Sequence, residues 1–363
     1  MAWIPLSEGR SVGQTGHVTD HNKIHEWANT IQEGAPGTYF VDPSNGSDSN
    51  TGKTWHQAWA SIARASSQAN NHCRVYLSPH VHNVTTPAWF GDGARIYGVP
   101  ITGNRVEWTN QSVISNSGSN IDHYIRFDNG LSQNNTYDMG IENVHFHASK
   151  VNQSAIYGQD ANMGRIIDCR FTKNQWYGDF ENKYLFRSRL ISTVEGVDAS
   201  WWEIRGNFTE HCALVDAQYT QPWNNWFVIE NNIGISVPPA PPGGSDAGGW
   251  ATAPYVIISG WGGRHSLLKN QFEVINSTSS IYAIDISDSY NVTLVANAFE
   301  RIWNYRAINL TDCVSSQVIQ GHGPAQNGGV YENGVARVST SSVPVYFNNT
   351  TGNTFMVAPS RAL

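Results

Sequence analysis

Charge is scarce in this 363-residue chain: Asp, Glu, Lys and Arg make up 14% of it, against a usual quarter. What charge there is does not lean basic, since 22 Lys and Arg face 29 Asp and Glu, for a formal net charge of −7. Nucleic acid is held by a positive field, so this balance argues against such a partner and leaves a glycan or another protein. No window approaches 18 uninterrupted apolar residues, so insertion into a membrane is not expected. The start, Met1-Ala2-Trp3-Ile4-Pro5, lacks the basic and apolar regions of an ordinary export signal, which implies a soluble protein made in the cytoplasm and not exported by such a signal. Only four cysteines occur (Cys73, Cys169, Cys212, Cys313), far apart and with no Cys-x-x-Cys pair. That spacing speaks against a zinc knuckle and a disulfide framework and for buried thiols that pack as small hydrophobes.

Hydrophobic residues make up 40% of the chain and aromatics 12%, with 33 glycines and many Asn, Ser and Thr. This is the composition of a β-rich, turn-rich surface around a continuous core.

Between Thr19 and Glu33 apolar residues fall at Ile24, Trp27, Ala28 and Ile31, one face of a helix that Thr19 or Asp20 caps and Gly34 with Pro36 ends. Alone it is too short to be stable and must dock on something. The run Gly13-Gln14-Thr15-Gly16-His17-Val18-Thr19-Asp20-His21-Asn22-Lys23-Ile24 resembles the start of minor tail proteins of phages that infect actinobacteria, over about the first 35 residues. That resemblance implies a virion-anchoring segment ahead of a variable, often β-helical body. His17, His21 and His25 share a helical face, but no carboxylate or Cys completes a site, so a solvated polar face is the preferred reading and no metal is expected.

Next come a strand at Tyr39-Phe40-Val41, an Asn/Asp/Gly loop at 45–52 and a helix read from Trp55, with Thr54 as N-cap and Trp55, Ala58, Trp59, Ile62, Ala65 and Ala69 on its apolar face. This order resembles the start of proteins with the pectate-lyase-like fold, in which a helix plugs the open end of the first coil. Asp48-Ser49-Asn50-Thr51-Gly52 has alternate oxygen side chains like half a calcium loop, but the bidentate Glu is missing and an Asx-type turn is preferred.

From Ile141 one pattern recurs, beginning again at Ile167, Ile204, Ile229, Leu268, Val295 and Ile319, in steps of 26, 37, 25, 39, 27 and 24 residues. A coil of three short strands and their turns needs about two dozen residues, which predicts a single right-handed parallel β-helix with a jelly-roll sandwich as the competing fold. Alternation within each copy places Asn143, Cys169, Gly206, Asn231, Asn270, Asn297 and Gly321 inward, as an asparagine ladder. The plan expected is an anchoring segment at 1–36, a strand, loop and capping helix at 37–72, the β-helix at 73–328, and a last coil with a C-terminal cap at 329–363.

The same alternation sends Glu142, Asp168, Arg205, Glu230 and Lys269 outward. Asp168 and Glu230 would then stand two coils apart, roughly 9–10 Å, near the upper limit for an inverting carboxylate pair, with Arg205 between them. The competing reading is a ladder of exposed ion pairs contributing about 0–1 kcal/mol each, and no catalytic motif of the pectate-lyase family falls at a matching place. For binding, Trp176, Tyr177, Trp223, Trp226, Trp250 and Trp261, with Trp201 and Trp202, fall at coil edges or in long loops. Their rings either stack on sugars or shield coil ends and a subunit interface, and both readings stay open. His80-Val81-His82 and His145-Phe146-His147 resemble iron-binding pairs of some phage spikes, but are read as strand residues with polar partners.

The function expected is a phage tail protein, by default a homotrimer, that attaches to other tail proteins through residues 1–36 and presents a rigid β-helix to envelope glycans without a cofactor. A glycan depolymerase, either hydrolase or lyase, and a purely architectural tail subunit are the alternatives.

Overall fold

The computed structural model describes most of residues 37–320 and four later strands, Val330–Glu332, Val335–Arg337, Val345–Asn348 and Thr354–Val357. Residues 1–36 and the segments 100–110, 128–135, 173–183, 190–200, 219–225, 236–253 and 321–329 are among those it does not describe. The helix expected between Thr19 and Glu33 therefore lies outside the described residues, as do His17, His21 and His25.

The described chain is mostly β, arranged as three long sheets of eleven, eight and eleven strands. The chain visits them in rotation: Arg74–Leu77 in the first, Val81–Asn83 in the second, Ala88–Phe90 in the third, then Arg95–Tyr97 back in the first beside Arg74–Leu77. Successive coils pair parallel and in register, so that Ile166 lies between Ile141 and Ile204. An antiparallel pair, Val330–Glu332 with Val335–Arg337, ends the third sheet. Parallel pairing through the body excludes the jelly-roll and is compatible with a parallel β-helix.

The first sheet aims one apolar column inward: Ile96, Ile141, Ile166, Ile204, Ile229, Leu267, Leu294 and Val318, all buried. Two residues after each core residue from Ile141 to Leu294 the backbone turns through positive φ, at Asn143, Asp168, Gly206, Asn231, Lys269 and Ala296. A single left-handed residue makes a sharp corner, and Asn, Asp and Gly adopt it at least cost.

That corner corrects the expected inward column. Asn143, Gly206 and Asn231 sit in the turn, and the ladder runs one residue later, through Cys169, Asn207, Asn232, Asn270 and Asn297. Alternation holds only while the backbone stays extended, and the left-handed residue shifts its phase by one. Each amide oxygen accepts the backbone N–H of the preceding rung, at 2.9 Å from Cys169 to Asn207 and 3.1 Å from Asn270 to Asn297. Each amide nitrogen donates inward, Asn207 to Ile166 O, Asn232 to Ile204 O, Asn270 to Ile229 O and Asn297 to Leu267 O, all at 2.9 Å. The buried amides satisfy one another, which is what makes a polar column tolerable inside the stack.

At the near end, strand Thr38–Val41 pairs with Arg74–Leu77. The helix expected from Trp55 begins later, as Ile62–Gln68, and its N-cap is Ser61, whose hydroxyl accepts Arg64 N at 3.1 Å, not Thr54. Trp55–Gln57 forms only one tight turn, because Trp59 is drawn into bridging the first strand: its N–H donates to Phe40 O at 3.0 Å and its carbonyl accepts Asp42 N at 2.8 Å. Asp48 pins the helix start, with Oδ1 accepting Ala60 N and Ser61 N at 2.9 Å and Oδ2 accepting the Ser61 hydroxyl. Asn50 donates to Ala58 O, so the oxygen-rich loop is spent on the turn. Ile62 and Ala65 face the core, and all four cysteines are buried.

Candidate functional site

The outward charges of the first sheet regroup once the corner is placed. The column reads Glu142, Ile167, Arg205, Glu230, Leu268, so Ile167 stands where Asp168 was expected and Leu268 where Lys269 was. Asp168 lies in the turn, close over Gly206, where a Cβ would fall 2.2 Å from its Oδ1. Asp168 and Glu230 therefore do not share a column, and the geometry that recommended them as a carboxylate pair is absent. Arg205 reaches Glu203 at 3.4 Å, and Glu203 meets Arg165 on its other side at 3.5 Å, a short run of surface ion pairs.

A second line of positive φ runs along the edge where the chain leaves the third sheet for the first: Asp138, Met163, Trp201, Trp226, Arg264, Asn291 and Ser315. Backbone bonds tie its coils, Trp226 N to Gly263 O at 2.9 Å and Arg264 N to Tyr290 O at 2.8 Å. Six exposed large apolar side chains fall on or beside this line: Tyr137, Met163, Trp201, Trp226, Tyr290 and Val314. Trp201 and Trp226 are 47% and 41% exposed, their rings meet edge to face at 6.3 Å, and the Arg264 guanidinium lies 5.5 Å from the Trp226 ring. A bulky residue in the left-handed region costs about 1–2 kcal/mol, and an exposed ring recovers little of that by packing. Two such tryptophans on adjacent coils make flat, open faces backed by a rigid scaffold, suited to stacking against sugar rings.

Of the other expected binding residues, Trp176, Tyr177, Trp223 and Trp250 lie outside the described residues. Trp261 falls in strand Val256–Gly263, and its side chain is also outside them. Trp202 is a correction: it is buried, donates from Nε1 to Ala161 O at 2.7 Å and packs on Phe186. The histidine pairs take polar strand partners. His82 bonds Ser78 O, and His145 bonds Gln111 and Thr172, with burial lowering their pKa to about 4 and about 3.

The third sheet carries a column that sequence reasoning missed: Trp89, Arg126, Tyr157, Arg187, Asp216, Ile257, Asp285 and Asn309. The Arg126 guanidinium lies 4.4 Å from the Trp89 ring and 5.6 Å from that of Tyr157, on which His123 stacks at 5.1 Å. Arg187 Nε donates to Asp216 Oδ2 at 2.5 Å and Gln218 to Oδ1 at 2.8 Å. Asp285, two strands on, accepts from Asn309 at 2.7 Å, and burial raises its carboxyl pKa. The two long steps of the repeat, 167–204 and 229–268, each contain a strand of this sheet, Tyr184–Arg189 and Val256–Gly263. The only sequence signal for the column was their length, which marked a face without marking its residues.

No protein-family model matches the chain, and no curated protein sequence matches it. Among solved structures it is similar to a lacto-N-biosidase from Eubacterium ramulus, at 12% identity and a TM-score of 0.42 over 95% of this chain and 70% of that one. It is also similar to the ORF18 protein of Geobacillus virus E2, at 11% identity and a TM-score of 0.47 over 96% of this chain and 65% of the other. A rhamnogalacturonan lyase follows, at 13% identity and a TM-score of 0.36 over 86% of this chain and 62% of the enzyme. The chain thus spans less than two thirds of the length of the phage protein and of the lyase. Phage and glycan-active proteins stand among the similar structures, and the likeness is one of strand arrangement alone.

Proposed function

We propose that this chain is a phage tail protein whose residues 1–36 attach it to other tail proteins and whose body projects toward the host envelope and binds its surface glycans. The tail placement is supported by the N-terminal run from Gly13 to Ile24. The body is read as a closed, right-handed parallel β-helix, following the rotation of the chain through three sheets, with the last coil and cap at 329–363. Three copies in one spike give avidity that a single weak sugar site lacks, and such binding needs no cofactor.

The observation that carries glycan binding is the Trp201–Trp226 pair, exposed on adjacent coils in a backbone conformation that favours glycine. The test uses the full chain and polysaccharide extracted from the host envelope, with Trp201→Gly and Trp226→Gly. Glycine suits both positions, so the variants keep their fold and lose binding about tenfold each, for stacking worth roughly 1.4 kcal/mol. Unchanged binding by the double variant refutes the reading and leaves the architectural one.

A second reading, a glycan depolymerase, is favoured by the third sheet. Asp216, held by Arg187, and Asp285, pushed toward its protonated form, occupy one column two strands apart, about 9.6 Å by strand spacing, close to the limit for an inverting pair. It predicts release of reducing ends from the same polysaccharide, abolished by Asp285→Asn.

A further inference from the structure

The outer face of the first sheet opens a polar cleft near the start of the Trp-bearing edge. One outward column there reads Arg74, Arg95, Gly140, Arg165, in register over four coils, and the column beside it reads Tyr76, Tyr97, Glu142. Three arginines on one short column are unusual in a chain with 22 basic residues and a net charge of −7. At the edge itself the left-handed positions are taken by Gly37, His72, Gly93 and Asp138, and the two glycines carry no side chain over His72. The result is a cleft of about 460 Å³ lined by these arginines, Tyr97, Asp138 and Glu142.

The charges are arranged unequally. Gly140 lets the Arg95 side chain lie across its own coil, since a Cβ there would come within 3.0 Å of Arg95 Cδ and Nη1, and Arg95 is bonded to Asp138. Among the described residues, the ion-pair contact of Arg165 is a loose 3.5 Å one with Glu203. Arg74 is exposed and meets no carboxylate among the described residues. Phe40, Tyr76 and Tyr97 stack in turn at 5.6 and 5.1 Å, and Tyr97, at the end of that stack, keeps one ring face toward the coil of Glu142 beside the arginines. Glu142 stands next to Tyr97, an acceptor without a hydrogen-bond donor among the described residues.

We infer that this cleft is a subsite for an anionic glycan, whose successive carboxylates or phosphates are taken by Arg74 and by Arg165, three coils apart, while sugar hydroxyls between them donate to Glu142 and a sugar ring lies on Tyr97. A planar guanidinium matches both anions, and a neighbouring carboxylate acceptor with an aromatic face suits a sugar more than a free ion. The inference rests on the reading of the adjoining edge as a glycan-binding face and adds the class of glycan.

The test is binding of the full chain to three soluble polymers: a polyglucuronate, a poly(glycerol phosphate) and dextran. One or both acidic polymers bind more tightly than dextran, and binding weakens from 0.1 to 1 M salt as the screening length falls from about 10 to 3 Å. Which acidic polymer binds identifies the anion. Arg74→Gln and Arg165→Gln each weaken it about tenfold, the loss of one charge-assisted hydrogen bond. Acidic polymers that do not bind, bind no better than dextran, or bind unchanged in both arginine variants overturn the inference. Weakening by Trp226→Gly without weakening by Arg74→Gln leaves the edge reading standing and removes this one, and the converse pattern does the reverse.

Discussion

The asparagine ladder allows a sharp test, because neighbouring residues are assigned opposite roles. Asn232 accepts from Asn207 N at 2.9 Å and Asn207 Nδ2 at 3.0 Å, and donates to Ile204 O and Asn270 Oδ1 at 2.9 Å. Asn207 Nδ2 keeps Ile166 O as a partner, Asn270 Oδ1 keeps Asn232 N, and Ile204 O keeps its place in the parallel ladder with Phe227–Glu230, so Asn232→Ala strands one buried backbone group, Asn207 N. At about 1–3 kcal/mol for an unsatisfied buried group, the expected loss is about 2–3 kcal/mol. Asn231 is exposed at φ 54°, and its alanine variant loses only the ease with which Asn adopts the left-handed turn, about 1 kcal/mol. Asn232→Asp separates the two halves of the network. It retains an acceptor for Asn207 N but turns a carboxylate oxygen toward Ile204 O and Asn270 Oδ1, and is at least as damaging as alanine at pH 7. Denaturant midpoints measure the three variants, and amide hydrogen exchange over 204–232 locates the loss, since stacked coils yield locally. If Asn231→Ala costs as much as Asn232→Ala, the left-handed corner is misplaced and the reasoning fails.

Two further outcomes follow from the same geometry. Gly206→Ala destabilises by about 2–3 kcal/mol, from left-handed strain at φ 68° and the approach to Asp168 Oδ1, and about 1 kcal/mol of this returns in an Asp168→Gly background. His82, His123 and His265 are held by burial near pKa 4, and His145 near 3, below the 6.5 of the unfolded chain. The unfolded state therefore binds more protons in that interval: stability is complete above pH 6.5 and falls as pH drops toward 4, by on the order of 1 kcal/mol per unit for each buried His. Acid unfolding followed by tryptophan fluorescence checks this, and stability that stays flat from pH 6.5 to 4.5 refutes it.

The stacked, repeating plan was legible because its cause is local. A coil needs a core residue, a corner and a buried amide at fixed offsets, and Ile204 to Asn207, Ile229 to Asn232 and Leu267 to Asn270 carry all three. The exposure of Trp226 was legible too, since it stands at the corner just before a strand. The capping helix was misjudged because Trp59 has helical spacing in sequence but donates its backbone to Phe40, a partner outside the periodicity.

The sequence by itself determined the period of the repeat, the presence of an amide ladder and the acidic, cysteine-poor character of the surface. Only the tertiary structure decided which residue of each Asn-bearing pair points inward, because one left-handed residue reverses all later alternation and its φ is not written in residue type: Lys269 and Ala296 adopt it as Asn231 does. It also decided which side chains meet. Arg187, Asp216 and Asp285 share a column, and Arg74, Arg95 and Arg165 another, through the number of residues each coil spends on its turns. Contact across coils is set by register, a property of backbone pairing that no short stretch of sequence contains.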